Sequence, residues 1–333
     1  VSQSLLHSTV SDFFDLYIPN SNAVRDIAVA VSGGADSLAL AHLLNQKVSS
    51  DLSHIDLHVL TVDHGLRPEA SDEAEHVGSI VSSWKNATHQ ILKWDGRSAE
   101  TGIQEKARNA RYDLMREYCE QHGIKFLFLG HHGGDQFETF FIRLSAGSGP
   151  EGLGCMAPVS VQNGLNLCRP LLYQSHEDLV SYCQREDIAW CEDPSNEDDK
   201  YERVRYRKAY EVLSSEGLSY KRLNKTLERI RQMTESAHVF SNEKYDELLI
   251  KKETDRILFN LECIKALPLD TVCRIVKRAI EELSDERGYG PRTEKTEILT
   301  KDLLEGKGFR KRTLGKCIFE VLDDGEKFSV SKE

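Results

Sequence analysis

Apolar and polar positions follow two rhythms over residues 24–190. Short, branched-rich apolar runs stand at Ile27–Val31, Ile55–Val62, Thr88–Leu92 and Phe126–Leu129, each with the length and composition of a strand. Between and after them, apolar residues recur every three to four positions at Leu38–Lys47, Ser71–Trp84, Gly102–Gln121 and Gln136–Leu144, the period of an amphipathic helix. This alternation predicts an α/β fold, a parallel sheet with helices on both faces. Residues 145–165 break the rhythm, and Ala146-Gly147-Ser148-Gly149-Pro150-Glu151-Gly152 reads as a loop. A long polar helix over 216–250 then leads to a second unit. That unit carries helical patterns at Asp270–Leu283 and Thr293–Leu304, and two short strands around the turn Asp323-Asp324-Gly325-Glu326. The expected organisation is a first domain over 1–215, a linker helix over 216–250 and a small, mainly helical C-terminal domain over 251–333.

Ligands of open parallel sheets sit beyond the carboxyl ends of the strands. Three polar motifs fall at such ends: Ser32-Gly33-Gly34-Ala35-Asp36-Ser37, Asp63-His64-Gly65-Leu66-Arg67 and His131-His132-Gly133-Gly134-Asp135. The first combines a strand end, a turn of small hydroxylated residues and a helix start. Backbone N–H groups and the positive end of the helix dipole then point at whatever occupies the turn. The glycines admit close approach of a phosphate, and the serines add donors. No lysine is present, so the pattern is not GxxxxGK[ST]. Asp36 would repel phosphates unless a cation lay between them, which points to Mg2+. The string resembles the SGGxDS loop of the ATP pyrophosphatase (PP-loop) superfamily, whose members split ATP between the α and β phosphates and adenylate a carbonyl oxygen.

Composition narrows the setting. The chain has 333 residues, 39% hydrophobic and 29% charged, with no apolar run of membrane-spanning length. The N-terminus lacks the pattern of a secretory signal. Eight cysteines are scattered without a C-x-x-C pair; they read as reduced structural thiols, so a cytoplasmic protein with no membrane contact is expected. The net charge of −11 opposes a polyanionic partner, but its distribution does not. Residues 200–232 hold ten basic side chains against four acidic ones, a surplus of six, and Lys307, Arg310, Lys311, Arg312 and Lys316 lie in a run without acids. Such segments are either solvated helix faces or a confined RNA contact.

The third motif continues into Gln136-Phe137-Glu138-Thr139. Asp135 and Glu138 share one helix face, and Asp135 either caps the helix or binds a cation. Metal-ligand spacing for zinc is not met. The whole string resembles the HHxDDxxET signature of the tRNA(Ile)-lysidine synthetases. Val62-Asp63-His64-Gly65-Leu66-Arg67-Pro68 resembles that family's VDHGLRP, and Ala107-Arg108-Asn109-Ala110-Arg111-Tyr112 its ARxxRY. Gly147–Leu153 resembles GSGxxGL, Arg169-Pro170-Leu171-Leu172 RPLL, and Trp190–Asn196 WxEDPSN, followed by Asp199, Tyr201, Arg203 and Arg207. Thr313-Leu314-Gly315-Lys316 resembles a TLGG turn. The chain departs from the pattern at Gly134, where the family carries the first Asp of a pair, at Ala146 in place of Arg, and at Val204 in place of Asn.

The resemblance implies an N-type ATP pyrophosphatase domain of the adenine nucleotide alpha hydrolase-like fold. It implies a ligase that uses ATP and Mg2+ to attach L-lysine to the wobble cytidine of tRNA(Ile). The alternatives are another PP-loop tRNA-modifying enzyme such as a thiolase, against which the missing C-x-x-C counts, or a catalytically weakened tRNA-binding protein, which the departures at Gly134, Ala146 and Val204 motivate. Ser32, Gly33, Gly34, Ala35, Asp36, Ser37, Val62 and His64 would bind ATP. Asp36 and Asp135 would hold Mg2+, and Asp36, Asp135 and Glu138 would be catalytic, with Glu138 holding the lysine ammonium. Arg108, Arg111, His132, Arg203, Arg205 and Arg207 would contact substrate. A homodimer stays open, and the resemblance points to a short form, since larger members carry a further C-terminal domain.

Overall fold

The computed structural model describes residues 3–63, 65, 69–94, 103–192, 202–284, 291, 293–305, 309, 311–322 and 325–333. They divide into two compact units, one of residues 1–148 with 152–228 and one of 149–151 with 229–333.

The first unit runs α1 (Gln3–Tyr17), β1 (Asp26–Ala30), α2 (Ala35–Ser50), β2 (Asp56–Asp63), α3 (Glu69–Val81), β3 (Ala87–Lys93), α4 (Ile103–Gln121), β4 (Phe126–Leu129) and α5 (Gly133–Ser145). After these come α6 (Pro150–Leu153), β5 (Val159–Gln162), β6 (Leu165–Cys168), α7 (His176–Arg185), α8 (Glu202–Ser215) and the first turns of α9 (Tyr220–Leu248). The sheet order is β3-β2-β1-β4-β6-β5. Every pairing is parallel except the β5–β6 hairpin at the edge.

Both faces of the sheet are covered. Ile27, Val29, Leu57, Val59 and Phe128 pack with α1, α2 and α7, while Ala28, Leu60, Leu127 and Leu129 pack with Met115 and Cys119 of α4. Ile27, Ala28 and Val29 are all fully buried, as expected of a central parallel strand. The loop expected over residues 145–165 is in part regular, since it contains α6 and β5. The β5–β6 turn is Asn163-Gly164, with φ of 49° and 82°, the left-handed pair that a two-residue hairpin favours.

The second unit contains β7 (Leu249–Lys252), β8 (Arg256–Asn260), α10 (Leu261–Lys265), α11 (Leu269–Leu283), α12 (Thr293–Glu305), β9 (Lys311–Leu314), β10 (Cys317–Val321) and β11 (Lys327–Lys332). Its helices outweigh its strands, and β10 and β11 form the closing hairpin; Asp323 and Asp324 of its turn lie outside the described residues. The β content exceeds the sequence expectation, for five strands form an antiparallel sheet in the order β7-β8-β11-β10-β9. Val272, Ile275, Val276, Ala279, Ile280 and Leu283 of α11 form a buried stripe at helical spacing, in one core with Phe259, Phe319 and Phe328 of the sheet.

Candidate active site

The loop after β1 is shaped by backbone requirements. Gly33 has φ of 87°, a conformation only glycine adopts without strain. Gly34 caps α2 with no side-chain bond, so the first-turn N–H groups of α2 face the loop. Ser37 Oγ accepts from the Ser32 N–H at 3.1 Å and donates to the Gly34 carbonyl at 3.0 Å. These bonds hold the turn open toward the sheet's carboxyl edge. A cleft of about 430 Å³ lies there, within the range of small-ligand sites. Ser32, Gly34, Asp36, Ser37, Val62 and Arg111 all line it.

Two other expected nucleotide residues serve differently. Ala35 is 3% exposed and belongs to the core, so only its backbone is available to a ligand. Gly33 shapes the turn, and its carbonyl accepts from the Cys191 N–H at 2.9 Å. Glu73 and Cys191 also line the cleft; neither stood out in the sequence. Burial, with the Glu73 charge second, pushes the Cys191 thiol above its ordinary pKa, so it is not an activated nucleophile.

Helix α5 begins beside this loop. His132 is its N-cap: its Nδ1 accepts from the Gly134 N–H at 3.0 Å, while Asp135 Oδ2 accepts from the His132 N–H at 2.9 Å. The pair forms a capping box. Asp135 therefore has a capping role whatever else it does. Burial raises its carboxyl, but His132, His131, the His132 N–H and Arg203 outweigh that, so its pKa lies below the ordinary value. A Cβ on Gly134 would stand 2.7 Å from His132 Cε1, so an aspartate there would displace the capping ring.

Glu138 is 3% exposed, and its Oε1 accepts from Arg207 Nε at 3.0 Å and Nη2 at 2.8 Å. Without ligand, Glu138, expected to hold the lysine ammonium, is turned into the protein, and Arg207, expected to contact substrate, is paired with that carboxylate. Burial raises the Glu138 pKa, with Arg207 acting against it. Arg207→Ala removes the opposing charge and raises it further. The folded state then binds a proton more readily than the unfolded state, so stability falls as pH rises from the ordinary 4.5 through the folded value. The expected cost at neutral pH is about 1–2 kcal/mol, below that of a fully buried pair because Arg207 is half exposed to water. Urea unfolding at pH 5 and pH 8 checks it, the larger loss falling at pH 8.

His176, the first residue of α7, was missed in the sequence. Its Nδ1 lies 2.8 Å from Asp36 Oδ1. That hydrogen bond, ahead of an opposing burial effect, raises the His176 pKa. Among the described residues, Asp36, His132 and His176 form a cluster with the donor count for a cation. The hydrogen bonds argue for a different reading. With His132 Nδ1 accepting from Gly134, Nε2 carries the ring hydrogen and is not a ligand. It lies 3.7 Å from Asp36 Oδ2 and 3.7 Å from Asp135 Oδ2, so the ring stands between the two carboxylates.

The other expected residues are dispersed. Arg203 and Arg205 are exposed on α8, Arg203 near enough to Asp135 and Glu138 for its charge to favour their ionised forms. Arg108 falls on α4, but its side chain, like that of Val204, lies outside the described residues. So do His64, Leu66, Arg67, Pro68, Asp193–Asn196, Asp199 and Tyr201, together with Lys200, Lys307 and Arg310.

A doubly covered parallel sheet with a glycine turn at its carboxyl edge defines the class of α/β nucleotide-binding proteins. The profile of the PP-loop domain family matches residues 6–213. The tRNA(Ile)-lysidine synthase of Wolbachia pipientis wMel is 30% identical over 318 residues, covering 95% of this chain and 73% of that protein. That of Methylobacterium nodulans is 34% identical over 320 residues, covering 93% and 91%. Among solved structures, the U34-tRNA thiolase NcsA from Methanococcus maripaludis with its [4Fe-4S] cluster superposes with a TM-score of 0.54 at 15% identity, covering 62% of this chain and 72% of that one, a likeness of fold alone. The chain belongs to the tRNA(Ile)-lysidine synthase family, within the PP-loop proteins.

Proposed function

We propose that this chain is a ligase that joins L-lysine to C2 of the wobble cytidine of tRNA(Ile), using ATP. The observation that carries the reading is the placement of Asp36, on a phosphate-sized glycine turn, beside the capped start of α5. Backbone N–H groups of Ser32–Ser37 hold the β and γ phosphates. Arg111, in the same cleft, answers phosphate charge with its guanidinium fork. The cytidine C2 oxygen attacks the α phosphate and pyrophosphate leaves. The deprotonated ε-amine of lysine then attacks C2, and AMP departs with the former C2 oxygen.

Asp36, a hard oxygen donor lining the cleft, is the residue that would hold Mg2+, and Asp135, whose Oδ2 lies 3.7 Å from His132 Nε2, would reach the ion through water. Held there, Mg2+ would supply the positive charge that offsets charge developing on pyrophosphate. Glu138 and Arg207 act indirectly by tying α8 to α5. Arg203, Arg205 and the basic side chains of α9 supply phosphate contacts that position tRNA without reading its sequence. An anticodon-loop cytidine is unpaired and costs little to splay into the cleft.

No helix among the described residues is long and apolar enough to cross a membrane, and none of the eight cysteines is in a disulfide. A soluble, cytoplasmic setting is part of the same proposal and rests on the family's tRNA chemistry. The test is AMP release in the presence of ATP. It is expected to require both lysine and tRNA; AMP formed equally well without tRNA would refute the assignment.

A further inference from the structure

We propose that His176 is a positioning residue for Asp36, anchoring its carboxylate in the orientation the ATP cleft uses. The proposal rests on the reading that Asp36 serves ATP. His176 is 140 residues from Asp36 in the chain, and helix packing brings the two together. Leu179, Tyr182 and Cys183 of α7 are fully buried. Tyr182 Oη is 2.9 Å from His42 Nδ1 of α2, and Cys183 Sγ donates to the Ala35 carbonyl at 3.4 Å. His176 stands three residues before Leu179 and seven before Cys183, so it projects from the same face of α7, at the level of the first turn of α2.

The start of α7 is itself held. Ser175 is the N-cap, and its Oγ accepts from the Asp178 N–H at 3.1 Å. With its backbone fixed, the His176 ring meets Asp36 Oδ1 at 2.8 Å. Asp36 is 28% exposed, open enough for its two χ angles to sample other rotamers without a partner. His132 faces the other oxygen at 3.7 Å, too long for a hydrogen bond. The orientation of the Asp36 carboxylate therefore depends on His176. The His176 side chain is about half exposed, so removing it leaves little cavity.

The test compares His176→Ala with His176→Asn, whose amide N–H can occupy the place of Nδ1–H. Lysine- and tRNA-dependent AMP release is followed with ATP varied. A downfield proton NMR spectrum reports the His176 Nδ1–H. For His176→Ala the expected result is a kcat about 10- to 100-fold lower with KM for ATP within about threefold of wild type, the pattern of lost orientation rather than lost binding. His176→Asn recovers most of the loss. The downfield proton is present in wild type and absent in both His176→Ala and Asp36→Ala. Wild-type kcat in His176→Ala, or His176→Asn no better than His176→Ala, overturns the proposal alone. A wild-type chain without lysine-dependent AMP release overturns the functional reading beneath it, even where the downfield proton confirms the contact.

Discussion

Asp36→Ala is expected to lower the rate of lysine- and tRNA-dependent AMP release by at least about a thousandfold, roughly 4 kcal/mol of transition-state stabilisation. Asp36 is the point where three features meet. It lies in the first turn of α2 on the glycine loop, it lines the cleft, and its Oδ1 meets the His176 ring at 2.8 Å. Its removal leaves the charge developing on pyrophosphate without the carboxylate that recruits a cation. The fold is expected to survive, because the Asp36 side chain is part exposed and carries no core packing. A thermal melt near wild type, with AMP release lost, separates the chemical role from a structural one. An active Asp36→Ala would remove the loop from the mechanism.

Gly130→Ala is expected to damage both stability and nucleotide binding. Gly130 follows β4, where the chain passes against the first turn of α2. A Cβ there would lie 3.0 Å from Ser37 Cα, 3.1 Å from the Asp36 carbonyl oxygen and 3.1 Å from Ser37 N. All three are backbone atoms, so a side-chain rotation gives no relief. The start of α2 must move, carrying Asp36 and Ser37 with it. Overpacking of this kind costs about 1–3 kcal/mol, and the displaced loop loses the N–H geometry that holds phosphate. Gly34→Ala is the stability control. Its added Cβ would meet only Ser32 Oγ, at 3.8 Å, so its cost is confined to a poorer N-cap, below about 1 kcal/mol, and Gly130→Ala should unfold at a clearly lower urea concentration. Equal stability of Gly130→Ala and Gly34→Ala would refute the packing account.

The parallel core was legible because its signals are local. The runs at Ile27, Ile55, Thr88 and Phe126 fall within a residue of β1 to β4, and the helices between them follow plain amphipathic periods. Some elements were overlooked although their signals were present. Asn163-Gly164 between Val159–Gln162 and Leu165–Cys168 is a strong hairpin pattern. Leu6, Val10, Phe13 and Phe14 have the spacing of the buried face of α1. The short strands β7, β8 and β9 are harder, since a run of four or five residues stays ambiguous until long-range pairing fixes it.

The site divides along the same line. Ser32–Ser37 announces itself because one turn supplies its chemistry. Glu138 and Arg207 were noticed as charges at suggestive positions, but burial alone reveals that they satisfy each other. His176 was invisible for the complementary reason. Nothing near it in the chain marks it, and its partner comes from α2 through helix packing. Gly134 changes meaning as well. In the sequence it is a missing carboxylate; in the structure it makes room for the His132 ring that caps α5.

The most direct measurement of the central claim is mass spectrometry of tRNA(Ile) digested after incubation with this chain, ATP and lysine. The account predicts one modified cytidine, at the wobble position, heavier by a single lysyl residue and absent when ATP is withheld. Unmodified tRNA at saturating ATP and lysine, from a folded protein that binds it, would contradict the account.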